Sequence, residues 1–83
     1  VTYSIVWEPE ATNAAVRFLK DDPRGLTALY EAVDLLAENP RPANSTPHGG
    51  TYRRLRVGDY RVLYLVDDDV IRILVTHLGR AAR

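Results

Sequence analysis

The sequence predicts an α+β fold in which a helical hairpin packs on one face of a mostly antiparallel sheet, in the order βααβββ. Three observations predict it. Apolar residues recur at helical spacing through the first half and alternate strictly after residue 50. A segment rich in proline and glycine marks the change of period. The connectors that follow are short enough to require hairpins. With 83 residues, the chain is read as one small domain, 1–83, with a single modest core.

Residues 2–7, Thr-Tyr-Ser-Ile-Val-Trp, are β-branched and aromatic and read as a first strand. Pro9 suits an early helical position, and Ala11, Ala14, Ala15, Phe18 and Leu19 give a helix over about residues 10–20. Asp22 is a candidate N-cap with Pro23 at the first helical position. Leu26, Leu29, Tyr30, Val33, Leu36 and Ala37 then make one apolar stripe, so residues 23–38 form a second helix antiparallel to the first. Three prolines and two glycines between Asn39 and Gly50 exclude regular structure there and predict a surface loop. Thr51–Val57, Tyr60–Val66 and Val70–Leu78 read as strands, joined through Gly58-Asp59 and through Asp67-Asp68-Asp69.

Alternation assigns the faces. A tight turn at Gly58-Asp59 sets Val57 opposite Tyr60 and Leu55 opposite Val62. Leu55, Val57, Tyr60, Val62, Tyr64, Val66, Ile71, Ile73 and Val75 then share the face that buries against the helices. The other face carries Arg54, Arg56, Arg61 and Arg72, with Leu63, Leu65, Leu74 and Thr76 between them and Tyr52 on the same side. Arg56 and Arg61 fall directly opposite each other, a like-charge pair that costs stability. Several guanidiniums on one surface suit phosphate recognition, because each is a planar fork of donors that stays charged. The alternative is a solvated face whose arginines pair with Asp59, Glu8 or Glu10.

Charge supports the first reading only once it is divided. The total is zero, with 11 basic and 11 acidic groups. Residues 1–50 carry net −3 and residues 51–83 net +3, an asymmetry that points toward a polyanion partner. Zero cysteine excludes disulfides, thiol catalysis and cysteine-held metal. His48 and His77 are too few and too scattered for a metal site. The three aspartates read as a solvated turn, Gly49-Gly50 does not join a strand to a helix, and Ser45 lacks a positioned base. No apolar run approaches the roughly 20 residues of a membrane span, and no leader pattern opens the chain, so a cytoplasmic address is expected.

The stretch Tyr52-Arg53-Arg54-Leu55-Arg56-Val57-Gly58-Asp59-Tyr60-Arg61-Val62-Leu63-Tyr64, with Val-Asp-Asp-Asp-Val-Ile-Arg-Ile-Leu-Val after it, resembles the toxins of the RelE/ParE superfamily. The order of elements matches over essentially the whole chain. The RelE-like branch is favoured, which implies a toxin of a type II toxin–antitoxin pair: a metal-free and cofactor-free endoribonuclease that cleaves messenger RNA on the ribosome. Its implied partners are a cognate antitoxin, the ribosome and mRNA, with operator DNA reached only through the antitoxin and no membrane. By position, Arg54 and Arg61 match basic residues that act on the scissile phosphate, and Arg56 matches a neighbouring basic residue. Tyr52, Arg53, Arg72 and Arg83 are the further expected RNA contacts.

Gly79-Arg80-Ala81-Ala82-Arg83 departs from the family pattern. Ala81 stands where an arginine is usual, leaving Arg80 or Arg83 to supply it, and no tyrosine follows. The resemblance therefore also admits a ParE-like inhibitor of DNA gyrase and an inactive binding module.

Overall fold

The computed structural model describes residues 1–81. Seven elements follow one another: β1 Ser4–Trp7, α1 Pro9–Asp21, α2 Pro23–Leu35, β2 Ser45–Pro47, β3 Tyr52–Val57, β4 Tyr60–Asp67 and β5 Arg72–Arg80. They form a two-helix layer on a five-stranded sheet of order β1-β5-β4-β3-β2. Only the β1–β5 contact is parallel.

The helices begin where the sequence predicts. Pro9 opens α1 after an extended Glu8, and the Asp22 carboxylate accepts the Gly25 N–H at 3.1 Å to cap α2. The second helix is shorter than its apolar stripe. Leu36, Ala37 and Glu38 donate three residues back, to Val33, Asp34 and Leu35, so the last turn tightens before Asn39-Pro40. Leu36 nevertheless stays fully buried beside Leu26, Leu29 and Val33. These side chains and Ala11, Ala14 and Ala15 meet Leu55, Tyr60, Val62, Tyr64, Val66, Ile73, Val75 and Leu78 from the sheet.

Three expectations need correction. The segment Asn39–Gly50 is not wholly irregular, because Ser45–Pro47 pairs with β3 as an edge strand. Pro47 is tolerated there because an edge residue need not donate to the ladder. Ile71 does not belong to the buried face; it lies in the β4–β5 turn at φ 54°, and β5 starts one residue later. The third correction bears on the site. Leu63 pairs with His77 and Tyr64 with Val75, so Thr76 is a β-bulge with no partner of its own. The extra residue reverses the alternation: Thr76 turns inward to 6% exposure, and His77 takes the outer face.

Candidate nucleic-acid interface

The two-residue turn at Gly58-Asp59 fixes the site's register. Gly58 takes φ +57°, which the first turn position requires. Val57 then pairs with Tyr60 and Arg56 with Arg61. Arg56 donates its backbone N–H away from β4, to the Asn44 carbonyl at 3.0 Å. Arg56 and Arg61 are therefore a non-hydrogen-bonded pair, in which Cα atoms stand about 4.5 Å apart. Further along, Thr46, Arg54, Leu63 and His77 form one row across four strands. Tyr52, Leu65, Leu74 and Val6 form another.

Arg54, Arg56 and Arg61 line one side of a groove of about 330 Å³, with Ala43, Asn44 and Thr46 opposite. The loop wall is held in place by Asn44, whose Nδ2 donates to the Arg56 carbonyl at 3.1 Å. Among the described residues the Arg54 and Arg56 side chains make no hydrogen bond or ion pair. Among the same described residues the Arg61 side chain donates only to the Tyr60 carbonyl, at 3.3 Å. Three guanidiniums thus share a surface that no helix covers, their donors largely open to an incoming acceptor. The groove can hold phosphate oxygens and stabilise charge that grows on them.

The other expected site residues are dispersed. Tyr52 is on the arginine face at 39% exposure, opposite Leu65. Arg53 points to the helix side, where its guanidinium donates to Ser45 Oγ at 3.0 and 3.1 Å and to the Ser45 carbonyl at 3.3 Å. It ties β3 to β2 and faces away from the groove, because odd and even strand positions cannot share a face. Arg72 is on the outer face opposite Asp67, six residues along β4 from Arg61, or about 20 Å. Arg80 pairs with Tyr60 and so faces the helices; its guanidinium meets Asp21 at 2.6 Å and lies 5.0 Å from the Phe18 ring centre. Arg83 lies outside the described residues. Asn44 and Thr46 were not expected in the groove; their only sequence signal is polarity inside a loop.

Behind Arg80 is a polar seam between sheet and helices. Tyr60 Oη donates to Asp22 at 2.9 Å. The Gly25 N–H, and after it this phenol, holds the Asp22 carboxyl below the ordinary carboxylate range. Burial, and then the bond to Asp22, pushes the Tyr60 phenol up. No group of three metal-ligating side chains occurs among the described residues, nor does any helix long and apolar enough to cross a membrane.

Fold and surface together define a class: a small α+β domain with a two-helix layer on one side of its sheet and an uncovered arginine groove on the other. The chain belongs to the ParE toxin family of type II toxin–antitoxin systems, whose family model matches residues 5–83. Solved structures share the fold. One is the toxin–antitoxin complex RelBE2 of Mycobacterium tuberculosis, at TM-score 0.81 and 23% identity over 96% of this chain and 99% of that one. Another is the archaeal RelE–RelB complex of Pyrococcus horikoshii, at TM-score 0.79 and 24% identity over 100% and 99%. The intact RelBE complex of E. coli is similar at TM-score 0.69 and 27% identity over 98% and 99%. No curated protein sequence matches the chain.

Proposed function

We propose that this chain is a RelE-like toxin that binds messenger RNA on the ribosome and cleaves it, and that a cognate antitoxin holds it inactive. The observation that carries the reading is the convergence of Arg54, Arg56 and Arg61 on one open groove. Keeping Arg56 opposite Arg61 costs stability, and a surface selected for stability alone would pair either with Glu or Thr. The RNA 2′-hydroxyl attacks the adjacent phosphorus, charge builds on the equatorial oxygens, and fixed guanidiniums stabilise it. The cleaved message ends in a 2′,3′-cyclic phosphate on one side and a 5′-hydroxyl on the other. Structural relatives that are toxin–antitoxin complexes support the antitoxin partner.

A second reading is gyrase inhibition, favoured by the ParE description of the matching family. Expression of the chain in bacteria, with 5′-end mapping of messages beside a gyrase supercoiling assay, separates the two. Codon-positioned cuts that disappear in Arg61→Ala support the nuclease. Gyrase-linked DNA breaks without such cuts refute it.

A further inference from the structure

A groove of guanidiniums holds the backbone of a single strand, and its bases need an apolar surface of their own. The outer face of the sheet supplies one beside the groove. We infer that Tyr52, with Leu65 and Leu74 next to it, is a platform on which a base of single-stranded RNA stacks, an inference that rests on the ribonuclease reading above.

The other tyrosines are engaged within the fold. Tyr3, Tyr60 and Tyr64 donate their hydroxyls to Asp68, Asp22 and the Pro40 carbonyl, and Tyr30 packs edge-on against Trp7 with ring centres 5.6 Å apart. Among the described residues Tyr52 has neither a hydroxyl partner nor a paired ring. Its place is fixed all the same. Its backbone N–H bonds to the Gly49 carbonyl at 3.0 Å, away from β4, so Tyr52 and Leu65 form a non-hydrogen-bonded pair whose side chains stand close. Half-buried Leu74 and exposed Val6 continue the row on the face that no helix covers.

Position and charge choose the occupant. Arg54 is two residues from Tyr52 on the same strand and face, about 7 Å away. A nucleotide carries its anionic part and its flat apolar part on either side of one sugar, so a phosphate held at Arg54 leaves a base over Tyr52. Beyond the row stand Asp67 and Arg72, opposite each other and cancelling in charge. The positive field therefore lies on the groove side, where the backbone of the strand runs, and only the base crosses to the row. An apolar protein segment would fit the row but not the guanidiniums next to it; RNA meets both. Every base has a face that can stack, so the platform adds affinity and register without choosing a base.

The test is fluorescence anisotropy with two labelled RNA strands of about four nucleotides, one with bases and one abasic. It compares the intact chain, Tyr52→Ala, Tyr52→Phe and Arg54→Ala, with thermal melts to show that each folds. Tyr52→Ala should bind the strand with bases about 5- to 100-fold more weakly, at an unchanged salt slope. Tyr52→Phe should bind it as the intact chain does, and Tyr52→Ala should match the intact chain on the abasic strand. Arg54→Ala should weaken both strands. If Arg54→Ala loses affinity while Tyr52→Ala stays within about twofold of the intact chain, the platform is overturned, the row is left to a protein partner, and the nuclease reading stands. Equal losses by Tyr52→Ala on both strands also overturn it, because the ring would then act on the backbone or the fold. An intact chain that binds the abasic strand as tightly as the strand with bases overturns it without any substitution. Ribosome-bound message left uncut by the intact chain overturns the nuclease reading and the inference that rests on it.

Discussion

Removing one arginine from the groove should change the salt dependence of RNA binding by a definite step. Three guanidiniums line the groove, so three phosphate contacts are available. On single strands each contact contributes about −0.7 to the slope of log affinity against log salt, giving about −2.1 in all. Between about 50 and 200 mM salt, affinity should then fall about 20-fold for the intact chain and about 7-fold for Arg54→Ala, Arg56→Ala or Arg61→Ala. Arg72→Ala supplies the control, since Arg72 has the same charge and face but sits six residues along β4 from Arg61. Fluorescence anisotropy with a labelled single strand of about four nucleotides reads the slope, because so short a strand covers one groove. An equal step from Arg72→Ala would mean that only net charge matters and would refute the groove. Slopes unchanged in all three groove variants would refute phosphate contact altogether.

Arg56→Thr should stabilise the fold by a few tenths to about 1 kcal/mol in urea melts while weakening RNA binding, because it relieves the cross-strand repulsion with Arg61. Leu29→Ala, at a fully buried position between helix and sheet, should cost about 3 kcal/mol by the same measurement. Asp22→Asn should flatten the acid limb of stability. With the folded-state carboxyl held low by Gly25 and then Tyr60, its contribution is present above the ordinary carboxylate range and lost as pH falls through the lowered value. The asparagine keeps Oδ1 as the acceptor for the Gly25 N–H and turns its amide N–H toward the Tyr60 hydroxyl, which then accepts. It does not titrate, so thermal melts should show a weaker loss in acid than for the intact chain.

Much of this molecule is legible without coordinates. The stripe from Leu26 to Leu36 and the run Tyr60–Val66 repeat at the periods of a helix and a strand, and periodicity is a local property. The arginine triad follows from alternation plus one short turn, since Gly58-Asp59 leaves little freedom in how Arg56 meets Arg61. The ParE family and its fold are consistent with the same stretch of sequence. Those features needed only neighbours along the chain.

What tertiary structure alone decided depends on residues far apart. Whether β5 holds an extra residue at Thr76 is settled by how it pairs with β4, and that single bulge exchanges Thr76 for His77 on the outer face. Arg53 and Arg80 have the same side chain as Arg54 and Arg61. Their guanidiniums go to Ser45 and Asp21 because the fold brings those oxygens to the helix side of the sheet. Ser45–Pro47 becomes a strand for a similar reason: proline-rich sequence forbids a ladder only where its missing donor is needed, and an edge does not need it. The sequence by itself determined which residue types alternate and with what period. The packed sheet determined their phase after the bulge, and with it which side chains of β5 turn toward the helices.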